Sequence, residues 1–87
     1  MELTSQFHIP SRIKLVKIIQ FLKKADQLNS SILIETNGAT INAKSLLGMC
    51  MLATGLTNIT VTIRTSGKDA EIALAYMENL LSDGYEH

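Results

Sequence analysis

Apolar and polar positions alternate from Glu2 to Ile9, with Leu3, Ser5, Phe7 and Ile9 on one side and Glu2, Thr4, Gln6 and His8 on the other. That two-residue period is the mark of a half-buried strand. Pro10-Ser11 interrupts it, and over residues 12–28 the period becomes helical. Leu15, Ile18, Leu22 and Ala25 form the apolar stripe, widened by Ile19 and Phe21, with Lys17, Gln20, Lys24 and Gln27 opposite. Ser11 is the expected N-cap, because it carries a short side-chain oxygen that can accept a backbone N–H and Lys14 carries none.

Residues 31–36 read as a second strand with Ile32 and Ile34 facing one way, and residues 39–43 as a third. Asn37-Gly38 lies between them, and that pair is the strongest two-residue hairpin signal because both central residues need positive φ. A short helix is predicted from Ser45 to near Gly55, a natural residue to follow a helix end. Residues 58–65 alternate again, with Ile59, Val61 and Ile63 inward and Thr60, Thr62 and Arg64 outward. Ser66-Gly67 then turns the chain into a last helix over residues 69–82. Its buried stripe is Ala70, Ala73, Leu74, Met77 and Leu80; Asp69 and Glu71 suit its N-terminal dipole and Gly84 its end. The order β-α-β-β-α-β-α predicts an α+β fold, four mostly antiparallel strands with helices stacked on one face, and one domain over residues 1–87.

Composition narrows the function classes. At 87 residues the chain buries only roughly 60–65% of its unfolded surface, which disfavours deep enclosed pockets. Eight basic residues balance eight acidic ones, so no overall field points to nucleic acid or membrane. The distribution is uneven: residues 1–44 hold six basic and three acidic residues, a net +3, and residues 45–87 hold two and five, a net −3. Five of the basic residues lie between Arg12 and Lys24, either a solvated helix face or a docking face for an acidic protein. The single cysteine, Cys50, cannot form an internal disulfide, and the start of the chain lacks the pattern of a signal peptide. The longest uncharged apolar run, residues 46–53, is far short of the ~20 residues of a membrane span. The expected location is therefore the cytoplasm.

Catalytic constellations are scarce. His8 and His87 are the only histidines, and neither has metal-ligand neighbours, so no metal or cofactor is expected. His8 belongs to the polar side of a strand, and Cys50 among Met49, Met51 and Leu52 reads as a small hydrophobe. The informative stretch is Asn42-Ala43-Lys44-Ser45-Leu46-Leu47-Gly48. Ser45 is an ideal N-cap, a structural role worth ~1 kcal/mol. A phosphate on it would also meet the positive end of the helix. A short helix carrying Leu46, Leu47, Met49, Cys50, Met51 and Leu52 cannot bury all six against one sheet, so part of that apolar surface should face a protein partner.

At this stretch the chain resembles HPr, the histidine-containing phosphocarrier family of the bacterial sugar phosphotransferase system. Residues 42–48 are similar to the family's regulatory serine motif, and Asn37-Gly38 and Ser66-Gly67 fall where the family turns. The likeness covers nearly the whole chain, with about one extra residue between Leu52 and Ile59, and implies an open-faced β-sandwich. HPr carries a phosphoryl group from Enzyme I on a histidine in a Gly-(Leu/Ile)-His-Ala-Arg-Pro-Ala motif. By resemblance that motif falls on Arg12-Ile13-Lys14-Leu15-Val16-Lys17-Ile18, with Lys14 for the histidine, Val16 for the arginine and Lys17 for the proline. Imidazole, titrating near ~6.5, offers an unprotonated nitrogen at neutral pH, and an amine titrating near ~10.4 does not.

The resemblance thus implies a member without carrier activity, comparable in kind to the catabolite repression branch, Crh, which lacks the histidine and keeps the serine. In that branch an ATP-dependent HPr kinase phosphorylates the matching serine, and the product acts on a transcriptional regulator. Crh-like proteins keep the arginine that here is Val16. The expected function is a non-enzymatic regulatory or adaptor protein signalling through Ser45, with Lys44, Leu46, Leu47, Cys50, Met51, Lys14 and Lys17 as the partner-binding surface. Its expected partners are proteins, an HPr kinase and a transcriptional regulator or phosphotransferase component among them. The alternatives are a divergent phosphocarrier and a binding module in which Ser45 is only a cap.

Overall fold

A computed structural model of the chain describes residues 1–36, 38–54 and 58–83, giving the backbone alone for 51–54 and 83. In order it contains β1 (Glu2–Ile9), α1 (Leu15–Ala25), β2 (Ser31–Thr36), β3 (Ala39–Asn42), α2 (Leu46–Thr54), β4 (Ile59–Ser66) and α3 (Ala70–Asp83). The sequence-predicted order is the observed one. The strands form one antiparallel sheet in the order β1-β4-β2-β3. Thr36 faces Ala39 across β2 and β3, so the hairpin loop has the expected two residues. Gly38 takes φ +77° there, while Asn37 lies outside the described residues, as do Gly55, Gly84 and His87.

Register explains why the alternation is strict. One row across the sheet runs Ser5, Ile63, Ile34 and Ile41, and the next row on the same face runs Leu3, Thr65 and Ile32. Ile32, Ile34, Ile41, Val61 and Ile63 are buried, and they meet Ile18, Phe21 and Ala25 of α1, Met49 of α2, and Ala73, Met77, Leu80 and Leu81 of α3. Each fully buried isoleucine of this set contributes ~1.5–3 kcal/mol, which makes this face the main source of stability. The opposite face is polar. Arg64 there donates to Glu35 at 2.8 Å and Glu2 at 3.3 Å, which holds its pKa above the ordinary arginine value, the Glu35 bond being the larger cause. These groups are well exposed, and pairs of this kind add little to stability.

Helix α1 departs from the sequence expectation in two ways. It begins at Leu15, not Arg12, and its N-cap is Lys14, not Ser11. The reason is Ile13, which is fully buried and is delivered to the core by an extended link, Lys14 itself having φ −63° and ψ 132°. No side chain caps the helix; the Lys14 carbonyl accepts the N–H groups of Lys17 and Ile18 at 3.0 and 3.1 Å. Ile13 takes the core position that the periodicity gave to Leu15, and Leu15 is 48% exposed. The helix closes early through tight bonds from Gln27 N–H to Lys24 O and from Leu28 N–H to Ala25 O.

A polar joint ties the α1–β2 loop to the β4–α3 turn. The Asp69 carboxylate accepts the N–H groups of Asn29 and Ser30, at 2.9 and 2.8 Å, and the Ser30 hydroxyl. Ser30 is fully buried, so these bonds satisfy groups that have no water. Gly67 lies against it at φ +139°; a Cβ there would stand 2.8 Å from the Ser30 Cα and 2.5 Å from its Oγ. The buried Thr65 hydroxyl donates to Ala70 O at 3.0 Å on the other side of the turn. Among the described residues no helix is long and apolar enough to cross a membrane.

Two measurements test the joint. The Asp69 pKa is held below its ordinary value of 3.8, chiefly by the Ser30 hydroxyl and then the Asn29 N–H. A depressed carboxylate contributes stability above its unfolded pKa and loses it as pH falls through the folded one. The denaturation midpoint of the wild type should therefore exceed that of Asp69→Asn at neutral pH, and the gap should narrow below about pH 4; parallel curves would show that the charge is not the cause. In the second, Gly38→Ala, in open space, should cost roughly 1 kcal/mol through its positive φ. Gly67→Ala should cost clearly more, because the new methyl group meets backbone.

Candidate functional site

The segment between β3 and α2 builds a helix start from its own backbone. The Asn42 side chain accepts the Lys44 N–H at 2.9 Å, and the Asn42 carbonyl accepts the Ser45 N–H at 3.0 Å. These two bonds reverse the chain so that Ser45 precedes Leu46 at the start of α2. The Ser45 carbonyl accepts the Met49 N–H at 2.9 Å, and its hydroxyl oxygen accepts the Gly48 N–H at 3.3 Å, the N-cap geometry expected from sequence. Gly48 brings this turn close to β3: a Cβ there would stand 3.1 Å from Asn42 O and from Ile41 Cγ2.

Helix α2 is apolar on every side, and the sheet can take only one. Met49 is fully buried, Cys50 is half-buried, and Leu46 and Leu47 are 55% and 83% exposed. The Met51 and Leu52 side chains lie outside the described residues. Leu46 adjoins α1, where Ile19, Leu22, Lys23 and Asp26 join it and Lys44 to line an open cleft of about 430 Å³. Leu15 stands one turn before Ile19 on the same flank, and Val16 is exposed beside it. Ser45 stands between Lys44 and Leu46, both of which line this cleft, so the serine cap adjoins a shelf that includes exposed leucine and isoleucine.

Of the three lysines expected in the partner-binding surface, Lys44 and Lys17 are directed to other elements. The Lys44 ammonium donates to the carbonyls of Leu28 and Ser30, at 2.6 and 3.3 Å, at the negative end of α1. Lys17 lies on the other flank of α1, facing Tyr76 and Asn79 of α3. Lys14 sits at the helix start, half-buried. His8 is exposed near the end of β1, opposite Thr60. Among the described residues no three of His, Cys, Asp and Glu cluster in a way that could hold a metal. The carbonyl contacts of Lys44 were invisible in sequence, since they join a residue to partners 14 and 16 positions upstream.

What the arrangement can do follows from this. A serine hydroxyl at the positive end of a nine-residue helix is a place where a covalent phosphate would be stabilised by the N–H groups and dipole. The apolar shelf beside it is a surface on which protein, not a small ligand, would be held.

A family model described as the PTS HPr component phosphorylation site matches residues 11–83. The HPr-like protein Crh of Halalkalibacterium halodurans is 39% identical over 54 residues, 62% of this chain and 63% of that protein. The HPr-like protein Crh of Bacillus subtilis is 35% identical over 54 residues, 62% of each. The matched stretch thus spans less than two thirds of these relatives' length. The phosphocarrier protein HPr of Bacillus anthracis superposes with a TM-score of 0.69 at 34% identity, over 93% of this chain and 94% of that one.

Lys44→Met keeps the unbranched apolar stem of the side chain and removes its donor. It should lower the unfolding free energy by about 1–2 kcal/mol in a urea titration, the cost of two carbonyls losing a charged partner. An unchanged midpoint would show that water replaces the ammonium without loss.

Proposed function

The chain belongs to the HPr family, and we propose that within it this protein is a regulatory member without carrier activity, signalling through phosphorylation of Ser45 and docking proteins on the α1–α2 shelf. The observation that carries this reading is the position of Ser45. Its hydroxyl caps α2, and the next two side chains, Leu46 and Leu47, are turned to solvent instead of the core. A phosphate of about −1.5 to −2 charges there would alter the electrostatics beside the shelf while the helix dipole stabilised it. The likeness to two Crh proteins supports a role in catabolite regulation.

The loss of carrier function is part of the same proposal. Lys14 occupies the start of α1, where the resemblance places the phosphoryl-accepting histidine, and Val16 replaces the neighbouring arginine. An ammonium has no lone pair for attack on phosphorus, and valine has no donors for the transferred oxygens. His8 faces solvent from a strand, opposite Thr60. A docking module that does not require phosphorylation is the second reading, favoured by the 83% exposure of Leu47.

The test is intact mass after incubation with an HPr kinase and ATP, alongside a reaction with Enzyme I and phosphoenolpyruvate. One phosphate from ATP, absent in Ser45→Ala, and none from phosphoenolpyruvate are expected. Label from phosphoenolpyruvate that persists in Ser45→Ala would overturn the reading and restore carrier chemistry. No label from either donor would leave the phosphorylation-independent module. Ser45→Asp, which caps about as well as serine and adds charge, should change partner binding under the first reading only.

A further inference from the structure

The flank of α1 turned away from Ser45 carries a different surface. Lys17 and Lys24 stand seven residues apart, two turns along the helix, with Gln20 between them. Tyr76 and Asn79 face them from α3, one turn apart, and buried Phe21 and Leu80 form the floor. Together these residues line a cleft of about 260 Å³, open on one side. Among the described residues no acidic side chain lines it, and neither lysine has a carboxylate partner. The Lys24 ammonium lies 5.8 Å from the centroid of the Tyr76 ring, a cation–π contact that holds it at the cleft.

Two ammonium groups, two side-chain amides and a phenol over an apolar floor define the chemistry of a ligand. Its anionic part must reach several separated donors at once, which the three oxygens of a dianionic phosphate do better than a single spherical halide. Its body must be apolar or flat enough to lie on Phe21 and Leu80, and a cleft of about 260 Å³ suits one ring beside the phosphate. We propose that this cleft binds a small phosphomonoester whose dianion bridges Lys17 and Lys24 and whose single-ring body packs on Phe21 and Leu80 beside Tyr76. Because the cleft lies across α1 from Ser45, its occupancy does not depend on the state of that serine.

Titration of the ¹⁵N-labelled protein with phenyl phosphate, inorganic phosphate and phenol, at neutral pH and physiological salt, tests this. Shifts should concentrate at Lys17, Gln20, Lys24, Tyr76 and Asn79, with phenyl phosphate bound at least about tenfold more tightly than either fragment. The Lys17→Gln/Lys24→Gln variant should weaken it by about tenfold or more with the rest of the spectrum unchanged, and Lys23→Gln, on the opposite flank, should not. Shifts scattered over all surface lysines, equal affinity for inorganic and phenyl phosphate, or an unaffected double variant would each overturn the proposal.

Discussion

Four strands present one apolar face, and three helices must share it. Helix α3 lies across β1, β4 and β2, and α2 sits on β3, which leaves α1 packed mainly against the other two helices. The consequence reaches most of the molecule. The edge of α1 carrying Ile18, Phe21 and Ala25 is buried in the core, with Leu22 packed against it, and each flank borders a neighbouring helix across an open cleft. The cleft beside α2 combines exposed Ile19 and Leu46 with Lys23, Asp26 and Lys44; the cleft beside α3 gathers two lysines, two side-chain amides and a phenol. Both arise because a one-sided sheet cannot bury every face of the helices above it.

What keeps α1 in this position is the saturation of Ser30. Its N–H and hydroxyl go to the Asp69 anion, and its carbonyl goes to the Lys44 cation. The same lysine holds Leu28, so the loop after α1 is gripped from the start of α3 and from the turn before α2. The joint thereby couples the two helices that flank α1. Gly67 makes the grip possible, since any side chain there would occupy the space of Ser30.

The legible parts of the sequence were those governed by period and turn chemistry. Strict alternation in residues 2–9 and 58–65 located β1 and β4 to within one residue, and Thr36 opposite Ala39 confirms the register that Asn37-Gly38 implied. Ser45 was legible as a cap because capping is local. The start of α1 was not, since an apolar residue before a helix can belong to its stripe or to an extended link, and only the tertiary position of Ile13 decides between them. Asp69 read as a dipole partner of α3, while most of its bonds go to a loop about 40 residues upstream. Lys17 and Lys44 looked like neighbours of Ser45 in sequence pattern, yet each faces another element. Side-chain destinations across the fold were the illegible part.

The pairing of the first strand with the last also dictates an order of events on the ribosome. Among the described strands β1 pairs with β4 alone, with Ile9 opposite Ile59 and Glu2 opposite Ser66. The hairpin of β2 and β3 is complete long before that partner is translated. At ordinary rates of synthesis, the nascent β1 waits roughly 3–10 s for β4 to be made, with its backbone donors and apolar Leu3, Phe7 and Ile9 unpaired. Of the four strands described, β1 is thus the first made and the last to find its partner, and for that interval its apolar side chains lack the neighbour that will cover them.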